Sequence, residues 1–337
     1  MIKRIFIFSF IFFISFIILI YFILNTKDTL NEYSPSDNKG EKITITIKPG
    51  DTGLDIANNL ENNGVIKDFS SFYNLAIKDD RSIKISPGDY LLDKTITSIE
   101  ALEQLLDNRN LLNKFTIKEG ERNYEIIDKL TELGFDNLEN AFLNYKLPDR
   151  FKNGTLEGLL YPLTYNYYQD MDIKILLDTM VKNFLDIYDS TDKDIAVSSK
   201  YSDLEILIIA SIIQAEGTPD NYRKIARVIY NRLESRLPLQ MDATLTYIKK
   251  SRGDIFVSNN DIEINSPYNT YKNLGLPPTA IGNPGSEAIY AALNPEFGNY
   301  LYFVTISPGV TRFSDNYEDF LKNKEIYKSN LKKGLFK

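Results

Sequence analysis

The sequence contains no histidine and no cysteine among its 337 residues. Without histidine, a Ser-His-Asp triad and every His-ligated zinc site are excluded. Without cysteine there are no thiol nucleophiles, thiolate metal sites or disulfides, although this assigns no compartment. Positive charge is also short. Lys and Arg total 39 against 46 Asp and Glu, a net charge of -7, and no long basic stripe offers a nucleic-acid surface. Any catalysis must therefore rest on carboxylates, hydroxyls, lysine, tyrosine or backbone amides, and nothing in the pattern calls for a metal or cofactor.

What is present suffices for two or three folded units, with 43% hydrophobic and 25% charged residues. Ile5 to Leu24 is a run of 20 residues interrupted only by Ser9, Ser15 and Tyr21. As a helix it would span about 30 Å, the thickness of a bilayer core. A cleaved signal peptide would typically carry a shorter apolar region, about 7–15 residues, and a small-residue cut site. A retained single-pass anchor at 5–24 is the expectation. Lys3 and Arg4 lie before it, so the stub 1–4 is expected in the cytoplasm and the remainder outside it.

After a polar tether (25–42), a repeat begins. Thr46-Ile47-Lys48-Pro49-Gly50-Asp51 recurs as Thr116-Ile117-Lys118-Glu119-Gly120-Glu121, and Ile56, Leu60 and Gly64 align without a gap on Ile126, Leu130 and Gly134. Each copy predicts a short strand, a glycine turn and a helix stopped by glycine. Between the copies, Ile83 to Tyr90 predicts another strand and turn, and Ile99 to Leu106 a helix. The expected organisation is two small α+β modules (43–93 and 94–150), a larger mixed α+β domain (151–322) and a solvated, Lys-rich polar tail (323–337).

Chemistry concentrates at Ser202 to Gly217. Ser202 or Asp203 can cap a helix that Gly217 and Pro219 end, and its interior is almost wholly apolar. Glu216 shares a face with Ile209, Ile212 and Ile213. Desolvation by these side chains and the negative end of the helix dipole both raise a carboxyl pKa, as a proton donor to a glycosidic oxygen requires. The competing reading is a terminal Glu fraying into solvent. Downstream, a second helix is expected from Tyr222 to Leu233. Loops rich in Tyr, Asn, Gln and Thr follow at Gln240, Asp242 and Thr244 and at Tyr268, Asn269, Thr270 and Tyr271. They suit a sugar-binding groove, or serve as ordinary turns.

These segments, taken in order, resemble the endolytic murein transglycosylase (YceG-like) family. The resemblance is carried by the Ala210-Ser211-Ile212-Ile213 helix with Glu216, by Asn231-Arg232-Leu233, Leu239-Gln240-Met241-Asp242-Ala243-Thr244 and Ser266 to Tyr271. Gly275-Leu276-Pro277-Pro278, Asn283-Pro284-Gly285 and Leu301 to Val304 continue it, as do Leu156-Glu157-Gly158 and Tyr161 to Tyr165 upstream. The resemblance implies a catalytic role for Glu216, a LysM-like module at 43–93 and a catalytic domain at 151–322. It also implies lytic cleavage of the MurNAc-β-1,4-GlcNAc bond of peptidoglycan to 1,6-anhydro ends, with Glu216 as acid and then base. Gln240, Asp242, Thr244, Tyr268, Asn269, Thr270, Tyr271 and Tyr165 are the candidate substrate-binding residues. From the family, association with the peptidoglycan synthesis machinery is expected as well. Leu163 stands where relatives carry Asp, Thr311 to Ser314 where they carry His, and Gln214 where many have a second Glu. A lysozyme-like hydrolase pairing Glu216 with Asp242, and a non-catalytic wall-binding scaffold, are the alternatives.

Overall fold

Alternation of Ile43, Ile45 and Ile47 with exposed threonines makes the first described strand. The computed structural model describes residue 33 and residues 40–252 and 258–336; the expected anchor at 5–24 lies outside them. Among the described residues, no helix is long and apolar enough to cross a membrane. The chain divides into two units, one comprising residues up to 115 together with 166–171, the other 116–165 and 172–337. This division differs from the expected one. Residues 94–115 belong to the smaller unit and 116–150 to the larger, because the second copy of the repeat is bonded to Thr246, Ser251 and Asn283 rather than forming its own core.

In the smaller unit, β1 (Lys42–Ile47) is followed by α1 (Gly53–Asn62) and α2 (Phe69–Lys78), and the chain returns as β2 (Gly88–Asp93) antiparallel to β1, with Lys42 opposite Asp93 and Ile47 opposite Gly88. Thr52 caps α1 in a reciprocal box with Asp55, and Thr97 does the same with Glu100 for α3 (Ser98–Leu106). Ile45, Ile47, Leu60, Phe72, Tyr90, Leu92 and Leu102 form one apolar core. β3 (Leu111–Thr116) then pairs with β2. The strand expected from Ile83 is not formed. Asp79 accepts from the Arg81 amide and starts a 3₁₀ turn over Asp80–Lys84, leaving Ile83 exposed, and the strand begins only after Pro87.

The larger unit opens with α4 (Asn123–Glu132), α5 (Leu138–Leu143) and β4 (Thr164–Tyr167), whose last two residues belong to the smaller unit. α6 (Ile173–Ser190) and the short α7 (Ile195–Ser198) lead to α8 (Asp203–Glu216). α9 (Pro219–Glu234), α10 (Asp242–Ile248), α11 (Asn259–Ile262), α12 (Ser286–Leu293), the hairpin β5 (Tyr302–Ser307) and β6 (Val310–Ser314), and α13 (Tyr317–Lys332) complete it.

The central element is α8. Ser202 and Glu205 form its capping box, and every residue from Ile206 to Ile213 is buried. α12 and α9 pack against it. The Tyr188 hydroxyl donates to Asp203 at 2.9 Å, fixing the helix start from a cluster of Phe151, Phe184 and Tyr188. In mid-helix, Ser211 Oγ accepts from the Ile281 amide at 3.0 Å. Asn283 ties further segments together, accepting from the Leu160 amide and donating to the Glu121 carbonyl.

Gly158 lies against the same helix. Its φ is +91°, and a Cβ there would stand 2.7 Å from Ala280 Cβ and 3.0 Å from a Leu207 methyl. Strain and overpacking then act together. Gly158→Ala is expected to lower stability by about 2–4 kcal/mol in urea denaturation, through displacement of α8.

Candidate active site

Helix α8 ends where glycine and proline force it to. Gly217 takes extended geometry, a Cβ on it would come within 2.3 Å of Ile225, and Pro219 starts α9. Glu216 is therefore the last helical residue, beside the start of α10. Its Oε1 accepts a 2.8 Å hydrogen bond from the Ala243 amide. Desolvation pushes its carboxyl up from the ordinary 4.5 to about 7, opposed by the Ala243 donor and reinforced by the negative charge of Asp242. Burial wins because a single amide bond stabilises the anion less than the lost water did.

Glu216 opens into a cavity of about 550 Å³ that Gln240, Asp242 and Tyr271 also line. The Tyr271 hydroxyl donates to Asp242 Oδ1. The loop carrying Gln240 is held in an unusual conformation, with φ +54° at that residue. Its amide donates to the Thr270 carbonyl at 3.1 Å, and the Met241 amide to Thr270 Oγ1 at 3.0 Å. Arg232, buried on α9, donates to the carbonyls of Leu301, Pro238 and Leu239, and its guanidinium lies 5.1 Å from the Tyr302 ring centre. One side chain thus joins the Gln240 loop to Leu301, the residue before β5.

The other sequence candidates fall outside the lining. Thr244, Asn269 and Thr270 are buried: Thr244 and Thr270 share a 3.0 Å hydroxyl contact, and the Asn269 amide nitrogen donates to Ile262 and Ile264 carbonyls. Tyr268 shares a hydrogen bond with Thr279 and packs on Tyr247. Tyr165 is buried and donates to the Tyr161 carbonyl. Their polar groups hold the loops in shape. Gln214 behaves likewise, donating to the Tyr222 hydroxyl and accepting from the Gly285 amide.

Two groups escaped the sequence reading. Glu157 is buried, and desolvation pushes it up to about 7; it accepts from the Asn123 amide and the Tyr247 hydroxyl. Because Tyr247 and the Arg122-bound Thr246 both lie on α10, Glu157 and Arg122 fix the helix that carries Ala243. Only the Leu156-Glu157-Gly158 motif pointed there. The second omission is the C-terminal helix. The expected polar tail from 323 cuts through α13, and Tyr317, Phe320, Lys324, Tyr327 and Phe336 line the Glu216 cavity. The lysines dominate that stretch of sequence and mask its aromatic stripe. Among the described residues, no group of three or more Asp or Glu is placed to hold a metal.

The larger unit thus holds a raised carboxyl in a polar and aromatic groove, an arrangement that can supply a proton to a bound group. The chain belongs to the YceG-like family, whose sequence model matches residues 45–326. It is 33% identical over 311 residues to the endolytic murein transglycosylase of Bacillus subtilis (strain 168), covering 86% of this chain and 85% of that protein. It is 30% identical to the endolytic murein transglycosylase of Streptococcus pneumoniae (strain ATCC BAA-255 / R6), over 87% of this chain and 60% of the longer relative. A crystal structure of a yceG-like protein from Listeria monocytogenes matches with a TM-score of 0.56 at 30% identity, over 84% of this chain and 98% of that one.

The raised carboxyl has a thermodynamic signature. A Glu whose folded pKa exceeds its unfolded value contributes stability that is full below about pH 4.5 and lost as pH rises through about 7. Glu216→Gln removes that loss. The variant is expected to match the parent near pH 4 and exceed it near pH 8 by on the order of 3 kcal/mol, measured by urea denaturation at both pH values.

Proposed function

We propose that this chain is a lytic transglycosylase of peptidoglycan, with Glu216 as its general acid and then base. The observation that carries the reading is the Glu216 carboxyl, raised to about 7 and opening into the groove, in a chain similar over most of its length to proteins named endolytic murein transglycosylases. The protonated carboxyl donates to the glycosidic oxygen of the MurNAc-β-1,4-GlcNAc linkage as the C1–O bond breaks. Positive charge develops at C1 of the muramyl residue. The muramyl C6 hydroxyl then attacks C1, and its proton passes to the Glu216 carboxylate. The products are a 1,6-anhydromuramyl end and a free GlcNAc 4-hydroxyl, with no water consumed. The Ala243 amide steadies the transient carboxylate, and Gln240 and Tyr271, which line the groove, would bind sugar hydroxyls.

The remainder of the chain fits work at a wall surface. Residues 5–24 would anchor it in the plasma membrane with the N-terminus cytoplasmic and the catalytic unit outside. The strand-helix-helix-strand order of residues 42–93 supports a LysM-like glycan-binding module there. Association with the wall-synthesis machinery belongs to the same proposal.

Asp242 gives one alternative some support, since it lines the same groove and acts electrostatically on Glu216. A hydrolase would use it to activate water. Tyr271 holds one of its oxygens, which suits an orienting role better. Digestion of purified glycan strands followed by mass spectrometry of the ends separates the two. Anhydromuramyl ends are expected; reducing ends alone would replace the lyase by the hydrolase. Glu216→Gln should lower the cleavage rate by about 10²–10⁴-fold. In the parent enzyme, kcat/KM should be level below about pH 7 and fall above it as the acid loses its proton. Undiminished cleavage by the folded variant would end the assignment.

A further inference from the structure

Part of the wall of the Glu216 cavity is built by the C-terminal helix. α13 packs on β5 and has no fully buried residue. Phe320 stacks on Tyr302 at 5.1 Å, and Tyr327 meets Phe336 edge-on at 5.2 Å. Both Tyr327 and Phe336 lie past residue 326, where the match to the family ends. The Tyr327 hydroxyl is close enough to Asp242 to feel its charge, so this helix reaches across to the carboxylate side of the groove.

The cations of that lining are Arg232 and Lys324. Arg232 is buried and committed to three backbone carbonyls. Lys324 is exposed, and among the described residues it makes no hydrogen bond or ion pair; its ammonium lies 5.9 Å from the Phe320 ring centre. The neighbouring acid, Glu325, is hydrogen-bonded and paired with Lys328, and Lys324 reaches it only through its charge. An ammonium with no hydrogen-bonded partner, beside aromatic side chains and lining the same cavity as Glu216 and Asp242, is placed to meet an anion brought by the ligand.

We propose that Lys324, with Tyr327 and Phe336, forms a subsite that reads the carboxylate-bearing substituent of the muramyl residue and so sets which glycosidic bond faces Glu216. This rests on the peptidoglycan reading above. The strand alternates two sugars that differ only in the lactyl group on one of them. A lyase that cuts on one side of that sugar alone must detect the group. The anion is the lactyl carboxylate of a bare strand or a carboxylate of an attached stem peptide; the recognition chemistry is the same.

The test measures strand binding to full-length protein carrying Glu216→Gln, with Lys324 intact and with Lys324→Gln or Lys324→Arg. Three probes are used: strands stripped of peptide, peptide-bearing strands, and stripped strands whose lactyl carboxyls are converted to methylamides. Lys324→Gln should weaken binding of carboxylate-bearing strands about tenfold and leave the methylamide strands unaffected, with Lys324→Arg restoring most of the loss. Loss on stripped strands identifies the lactyl group, and loss on peptide-bearing strands alone identifies the stem, either outcome supporting the subsite. Equal affinities throughout, or an equal loss on all three probes, would overturn it. Failure of the Lys324 protein to bind any strand would remove the peptidoglycan reading as well. Cleavage persisting in Glu216→Gln would remove only the catalytic assignment.

Discussion

Desolvation of one carboxyl organises this molecule. Glu216 sits at the end of a helix whose eight preceding core residues, Ile206 to Ile213, are buried, and the break at Gly217 keeps it from moving on toward solvent. The anion is disfavoured by burial and by Asp242, and favoured by one amide. That balance leaves the group near neutrality, where it can give a proton and take one back. A second amide donor would depress it, and a more open helix end would restore an ordinary carboxylate.

Most polar residues around the groove serve this placement indirectly. Thr244, Thr270 and Asn269 spend their hydrogen bonds on one another and on backbone, holding the Gln240 loop at positive φ. Arg232 ties that loop to Leu301, just before β5. Glu157 and Arg122 fix α10, whose Ala243 amide touches the acid. A polar motif on a buried loop therefore reads first as support. Of the candidate substrate-binding residues, Gln240, Asp242 and Tyr271 reach the cavity.

Much was legible in the sequence because local rules govern it. The repeat is realised feature by feature. Lys48 and Lys118 amides are bound by Asp51 and Glu121, Gly50 and Gly120 both have positive φ, and Val65 and Phe135 amides close onto Leu60 and Leu130 carbonyls. The apolar run and its glycine-proline stop located α8 and its final acid. What was not legible depends on tertiary packing. Alternation at Ile83 and Ile85 looked like a strand, yet the local Asp79 cap directs a 3₁₀ turn. The two repeat copies predicted sister modules, but their helices join different cores. In α13, Phe320, Lys324 and Tyr327 share a face that only the neighbouring β5 reveals as a groove wall rather than a solvated surface.

The central claim concerns a proton on a single atom group, and carbon-13 NMR of selectively labelled glutamate observes it directly. Comparison of the protein with its Glu216→Gln variant assigns the δ-carboxyl resonance. Titrated from pH 3 to 9, that resonance is predicted to move with a midpoint near 7. A midpoint in the ordinary carboxylate range, near 4.5, would mean that the anion is well solvated at the helix end, and would contradict the account.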